Sequence, residues 1–362
     1  MNRILLLNPG PVTLSKRVRQ ALLREDMCHR EMEFAALTQD IKSRLNRVYP
    51  DARDQFESVL LTGSGTCAVE AMLSSLVPTF GKALVVSNGV YGERMAAMLA
   101  AHRKPFIQIK ADWTTPIDLK RVEQQLASDN KISHVLSVHH ETTSGRLNDI
   151  PALGQLCKVY NKPLLLDAVS SFGGEYIDWH NWSLGAVAGT ANKCLHGVPG
   201  MAFVLVDKTR LRQGHSHTLY LDLFKYYQEQ QNGFSPFTQA VQVAFALQEA
   251  LRELEETGGW QARHAQYRRL STQIRQTLND LGVRQLLNEA SYASMLTSFY
   301  LPEGMRYNTL HDSMRQAGFV IYAGQGALAD KIFRIANMGD IQADDLQNLL
   351  ETFTRIFGKN NG

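Results

Sequence analysis

The sequence predicts an α/β protein: a large domain built on a mostly parallel seven-stranded sheet flanked by helices, with a smaller C-terminal α+β domain. Three observations predict it. From about residue 58 to 206, short apolar runs alternate with stretches whose apolar residues recur at helical spacing, the pattern of strands joined by crossover helices. After Val206 that alternation gives way to long helical stretches and a few short strands. The chain has 362 residues and is 44% apolar, enough to bury one large core and a smaller one.

The strands are expected over 58–62, 83–87, 106–110, 134–138, 164–167, 186–189 and 202–206. Most are nearly continuous apolar runs, such as Ala83-Leu-Val-Val86 and Ala202-Phe-Val-Leu-Val206, as strands covered on both faces require. Between them, 66–76, 91–101, 118–127 and 150–160 carry apolar residues every three or four positions, which predicts helices. Beyond the sheet, helices are expected over 238–256 and 260–281, strands over 295–300, 319–322 and 332–336, and a last helix over 343–357. The expected organisation is an N-terminal arm (1–20) near the active site, a large domain (21–257) and a small domain (258–362), joined at Gly258-Gly259 or the helix beside it.

The net charge of +3 is small for this length and the basic residues are scattered, so neither nucleic acid nor a membrane surface is an expected partner. Small molecules are. Four separated cysteines (Cys28, Cys67, Cys157 and Cys194) match no zinc or disulfide spacing. The apolar run Ile4–Leu7 is stopped at once by Asn8-Pro-Gly-Pro11, and a cytoplasmic location is expected.

In a sheet of this kind ligands collect at the carboxyl ends of the strands, and the informative residues follow each apolar run. Asp167 closes one strand and Lys193 follows another, 26 positions on (193 − 167). Pyridoxal phosphate needs such a pair: a lysine amine to bond its aldehyde, and a carboxylate to keep its pyridine nitrogen protonated. Gly63-Ser64-Gly65-Thr66 leaves a strand and enters a helix, a cradle for a phosphate. Gly63-x-Gly65-x-x-Ala68 also suits a dinucleotide fingerprint, but the next strand ends in Ser87-Asn88-Gly89 without the acid that grips a ribose. Tyr91 offers a ring on which a flat heterocycle can stack.

His139-His140-Glu141-Thr142 follows a further strand. A metal site there is awkward because adjacent residues of an extended segment face opposite ways. The Thr142 hydroxyl is better used on the cofactor's phenolic oxygen. Cys194, beside the lysine, reads more readily as a small buried filler than as a nucleophile. Arg334 alternates with apolar neighbours on a short strand and offers a fork that matches a carboxylate or phosphonate.

Taken together, these strand ends resemble the class V (fold type I) pyridoxal-phosphate aminotransferases, over nearly the whole chain. Leu7-Asn-Pro-Gly-Pro11, Cys28-His-Arg-Glu31, Asn88-Gly-Val-Tyr-Gly92, Asp167-Ala-Val-Ser-Ser-Phe-Gly173, Asn192-Lys193-Cys194 and Phe333-Arg-Ile-Ala-Asn337 are similar to the branch that moves the amino group of 2-aminoethylphosphonate to pyruvate. The resemblance implies that Lys193 carries the cofactor, Asp167 meets its ring nitrogen, and Ser64, Gly65 and Thr66 hold its phosphate. It further implies that Tyr91 and Val169 face the two sides of the ring, Thr142 meets the phenolic oxygen, and Arg334 receives the anionic end of the substrate. The assembly implied is a homodimer whose subunits share active sites, with Ser235 making the cross-subunit phosphate contact and Thr238 as the second choice. The N-terminal Asn8-Pro-Gly-Pro11 and Arg30 fall near the cleft by the same likeness. The alternatives are an alanine:glyoxylate or serine:pyruvate aminotransferase, a cysteine desulfurase, a silent interaction protein on the same fold, and a nicotinamide-dependent dehydrogenase. The desulfurase needs a cysteine in the C-terminal region, and none follows Cys194.

Overall fold

The computed structural model describes residues 3–52, 54–212 and 215–358. The ends of the expected arm (residues 1–2) and of the expected C-terminal unit (359–362) lie outside the described residues. Seven strands form one sheet: β1 (Phe56–Gly63), β2 (Lys82–Ser87), β3 (Phe106–Lys110), β4 (Ile132–Val138), β5 (Leu164–Asp167), β6 (Leu184–Thr190) and β7 (Gly200–Asp207). Their spatial order is β1-β7-β6-β5-β4-β2-β3. Only β7 runs against its neighbours; the others share one direction. The expected mostly parallel sheet is present, and each strand extends the expected run by a few residues or matches it.

Alternation along the strands feeds two cores. Leu60, Leu84, Leu164, Leu166 and Phe203 face one side, and Val59, Leu61, Val85, Leu165 and Val204 face the other. Helices α2 (Gly65–Leu76) and α3 (Val90–Ala101) cover the second face through Met72, Leu73, Met95 and Leu99. The first face is covered by α1 (Met32–Val48), α4 (Leu119–Ser128), α5 (Ile150–Val159) and α6 (Val241–Glu256). With both faces covered, a cavity opens at the carboxyl end of the sheet.

Helix α1 was not among the expected elements, although Phe34, Leu37, Ile41, Leu45 and Val48 form one buried stripe. It precedes the strand–helix alternation and packs into the same core as α6. Helix α6 begins at Val241 rather than 238. Pro236 keeps the approach irregular, and the Thr62 hydroxyl accepts from the Ala240 amide at 3.2 Å, so the first turn is satisfied from β1.

Helix α7 (Gly259–Asp280) leads to a three-stranded antiparallel sheet of β8 (Leu296–Tyr300), β9 (Tyr322–Ala323) and β10 (Ile332–Ala336), with β10 in the middle. The single strand expected over 319–322 is split. Phe319–Val320 pairs in parallel with Leu5–Leu6 at the chain's start, while Tyr322–Ala323 joins β10. Leu5 and Leu7 thereby enter the core that holds Phe299, Phe333 and Phe353 of the C-terminal region, including the last helix α8 (Ala343–Phe357). Leu5–Leu7 are thus pinned to the last third of the chain before it crosses to the large sheet.

Candidate active site

At the carboxyl end of the large sheet lies a cavity of about 490 Å³. Strand ends supply its wall: Ser64 and Thr66 after β1, Thr142 after β4, Asp167 at the tip of β5, Lys193 after β6. Because β7 runs the other way, its beginning comes to this edge and adds Pro199 and Gly200.

Ser64 is the N-cap of α2, yet its hydroxyl makes no capping bond. Gly65 and Thr66 follow as the first helical residues, so their amides have no intrahelical carbonyl to meet. A side chain at 65 is excluded, since its Cβ would stand 2.5 Å from Cγ1 of Val169. Free amides, a free hydroxyl and the positive end of a helix thus converge on one end of the cavity.

Tyr91 lies in the first turn of α3, whose start is held from the loop after β4. The Val90 amide donates to Thr143 Oγ1 at 3.0 Å, the Gly92 amide to Glu141 Oε2 at 3.3 Å, and the Thr143 hydroxyl to Glu141 Oε1 at 2.6 Å. Glu141 is fully buried, which pushes its carboxyl above the usual range against the pull of those donors. Three residues on from Tyr91, Arg94 also lines the cavity. Its guanidinium carbon is 4.7 Å from the Tyr91 ring centroid, and Nη1 is 3.4 Å from Thr66 Oγ1.

Asp167, also in the wall, accepts the Val169 amide at 3.0 Å, and burial pushes its carboxyl up to about 6, against the pull of that bond and of the Arg94 and Lys193 charges. Burial pulls the Lys193 amine down to about 8; the Arg334 charge adds to this, while Cys194 and Asp167 oppose it. Lys193 Nζ donates to the carbonyl of Pro9. His140, also in the wall, is neutral because burial lowers it to about 3. Its Nδ1 lies 3.1 Å from Ser170 Oγ, and its Nε2 is buried with no partner among the described residues.

The structure therefore brings Ser64, Gly65, Thr66, Tyr91, Thr142, Asp167, Val169 and Lys193 to one cavity. It does not bring Ser235 or Arg334 to that wall. Ser235 is 4% exposed and accepts from Gln239 Nε2 at 2.8 Å, whereas Thr238 is exposed. Arg334, 2% exposed on β10, donates through Nε to the Ala323 carbonyl and through Nη1 to the Thr142 carbonyl, both at 2.8 Å. Arg30 is exposed and outside the wall. Among the described residues no group of three His, Cys, Asp or Glu is placed to hold a metal ion.

Sequence reasoning left the wall residues Arg94 and His140 without a cofactor role, and placed Asn8-Pro-Gly-Pro11 near the cleft without naming its contact. Arg94 shares a helix face with Tyr91 by its three-residue spacing and was legible on that ground. His140 stands out in the sequence only as a poor metal-ligand candidate beside His139 and Glu141. Pro9 and Gly10 meet Lys193 across more than 180 residues of chain, and no local pattern signals that contact.

The profile of the class-V aminotransferases matches residues 15–341. The chain belongs to that family. Among its relatives, a 2-aminoethylphosphonate–pyruvate transaminase of Bacillus mycoides is 36% identical over 98% of both chains, and one of Bacillus cereus is 35% identical over the same share. Among solved structures, an aspartate aminotransferase of Thermus thermophilus superimposes with a TM-score of 0.90 at 26% identity, covering 98% of this chain and 99% of that one. A pyridoxamine–pyruvate aminotransferase of Mesorhizobium loti shares the fold, with a TM-score of 0.90 at 23% identity over 100% of this chain and 94% of the other.

As a class-V aminotransferase of fold type I, this protein works with pyridoxal 5′-phosphate. The residues present fit that group. The cavity has an anion-binding helix terminus at one end, a buried carboxylate and a buried amine, and between them an aromatic ring, a valine and the unpartnered His140 Nε2.

Proposed function

We propose that this class-V aminotransferase transfers the amino group of 2-aminoethylphosphonate to pyruvate, giving phosphonoacetaldehyde and L-alanine. The observation that carries this reading is the likeness at 36% identity, over 98% of the chain, to a transaminase named for that reaction. When bound, pyridoxal 5′-phosphate supplies an aldehyde that takes up the amino group and a ring that accepts the electron pair released at the substrate carbon.

Each residue then has a task. Ser64, Gly65 and Thr66 hold the phosphate, Tyr91 and Val169 face the two sides of the ring, and Thr142 meets the phenolic oxygen. Asp167 keeps the proton on the ring nitrogen. Lys193 would hold the cofactor's aldehyde and, once free, would take the proton from the substrate carbon and pass it to the former aldehyde carbon. Its amine, pulled down to about 8, is a free base in about a tenth of molecules at pH 7, far more than an ordinary lysine would be, as a proton carrier needs.

Arg334 is assigned to the anionic end of the substrate. Two of its five N–H groups are spent on the carbonyls of Ala323 and Thr142, and three (5 − 2) remain. The two spent bonds fix the orientation of the fork, which suits a phosphonate in one half-reaction and a carboxylate in the other.

We assign the protein to the cytoplasm and to a homodimer with shared active sites. The cross-subunit phosphate contact falls to Ser235 or Thr238, and the exposed Thr238 is the hydroxyl free to reach another chain, Ser235 being turned to its own Gln239. The division into an arm (1–20), a cofactor domain (21–257) and a small domain (258–362) belongs to the same reading. Among the described residues no helix is long and apolar enough to cross a membrane.

The test is a titration of the cofactor-loaded protein with 2-aminoethylphosphonate, serine and alanine, each without an acceptor. Loss of the absorption band of the lysine-bound cofactor is expected with the phosphonate at far lower concentration than with serine. A band that serine depletes as readily would reject the phosphonate assignment. Lys193→Ala should fold, lose that band and show no turnover.

A further inference from the structure

Of the two cations that line the cavity, Lys193 is committed to the aldehyde. The other is Arg94, on the first turns of α3. Its guanidinium lies over the Tyr91 ring at 4.7 Å and reaches Thr66 Oγ1 at 3.4 Å, which puts it beside the helix terminus that holds the phosphate. Among the described residues it pairs with no carboxylate: the neighbouring Glu93 is directed to Trp113 Nε1 at 3.2 Å and Lys110 Nζ at 3.7 Å. An unpaired guanidinium half-buried in a cavity wall carries a desolvation cost that an anion would offset.

The charge balance at that end points the same way. A phosphate monoester carries nearly two negative charges at neutral pH, whereas a helix terminus offers about half a positive charge. Ser64 and Thr66 contribute hydrogen bonds and no charge. Arg334, the remaining cation near the site, is tied to carbonyls at the Thr142 side. A guanidinium that spends one N–H on the Thr66 hydroxyl keeps the rest of its fork, which matches a phosphate with paired bonds.

We infer that Arg94 is a charge partner of the cofactor phosphate, holding it together with the α2 terminus while its plane backs the Tyr91 ring. This rests on the cofactor assignment, not on which amine is the substrate. One side chain thus couples the anion site to the stacking ring, so that phosphate binding orders the face on which the pyridine ring lies.

The decisive measurement uses two ligands on protein stripped of cofactor: pyridoxal 5′-phosphate, and pyridoxal, which has the same ring and aldehyde but no phosphate. Binding is followed by the band of the lysine-bound aldehyde and by tryptophan fluorescence, in wild type, Arg94→Gln and Arg94→Lys. Arg94→Gln should weaken the phosphate ester by about 10- to 100-fold, as loss of a charge-assisted pair does, and leave pyridoxal within about two-fold, an allowance set by the small effects expected of groups that ligand does not touch. Arg94→Lys should recover part of the loss, and the wild-type advantage should shrink as salt rises.

Unchanged affinity for the phosphate ester in Arg94→Gln overturns the inference. Equal weakening of both ligands also overturns it, because the residue would then act only through Tyr91. An unchanged cofactor affinity with a raised KM for 2-aminoethylphosphonate would assign Arg94 to the substrate instead. Failure of wild type to take up the phosphate ester would reject the cofactor assignment itself, a result distinct from all of these.

Discussion

Gly10 stands against the side chain of Lys193: a Cβ added at Gly10 would lie 2.7 Å from the lysine Cδ, 2.8 Å from Cε and 2.9 Å from Nζ. The amine in turn donates to the carbonyl of Pro9. Pro9 and Gly10 are thus the surface against which the Lys193 side chain is positioned.

Gly10→Ala should therefore disturb the lysine more than the fold. The residue has φ +114°, where a side chain costs about 1–2 kcal/mol, and the new methyl would displace Lys193. The expected outcome is a weakened band of the lysine-bound cofactor and a fall in kcat of at least about ten-fold, the scale of a misplacement near one ångström. An unaltered absorption spectrum with normal turnover would show that the arm has no such role.

Asp167 makes the stability of the protein alone depend on pH. Its carboxyl ordinarily ionises near 3.8 and burial pushes it to about 6, so the folded state keeps its proton longer than the unfolded chain. The contribution is fully present below about pH 4 and is lost as pH rises through 6, reaching about 3 kcal/mol by pH 7.5. Asp167→Asn lacks that loss. In urea unfolding of cofactor-stripped protein, the variant should equal wild type near pH 4 and exceed it by about 2–3 kcal/mol at pH 7.5, while its turnover with cofactor collapses. A stability difference that stays constant over that range would contradict the buried, raised carboxyl.

Arg334 has a structural and a chemical side that separate by substitution. Arg334→Ala strips the carbonyls of Thr142 and Ala323 of their donors and should cost about 3 kcal/mol of stability. Arg334→Lys keeps the charge but cannot serve two carbonyls and an anion with one planar fork. For the lysine variant, a KM for 2-aminoethylphosphonate raised at least about ten-fold, with a smaller change in kcat, is expected on the loss of a paired contact. Wild-type KM in steady-state kinetics would remove the residue from the substrate's anion.

Glu141 links the loop after β4 to the start of α3. Glu141→Ala leaves the amides of Gly92 and Thr143 without their acceptor in a buried site, at a cost of about 2–4 kcal/mol. Because Tyr91 lies in that first turn, the loss should appear as weaker retention of both pyridoxal phosphate and pyridoxal. Glu141→Gln, which keeps an acceptor, should do markedly less harm. Equal behaviour of the two variants on dialysis would argue that the carboxylate does not anchor the helix.

The sequence by itself determined the seven strands, the helices between them and the residues at each strand tip, because apolar alternation and helical spacing are local and fix which atoms face a core. From those tips it also named seven side chains that share the cavity, Ser64, Gly65, Thr66, Tyr91, Thr142, Asp167 and Lys193, and the family resemblance added Val169. Strand ends of one parallel sheet must lie along one edge, so their convergence follows from topology. Only the tertiary structure decided that Pro9 and Gly10 press on Lys193, that Arg334 is tied to the Thr142 carbonyl, that Ser235 turns to its own Gln239 and that 319–322 divides between two sheets. Each of these joins segments with no shared pattern along the chain, and such contacts exist only once the cores have closed and fixed which surfaces meet.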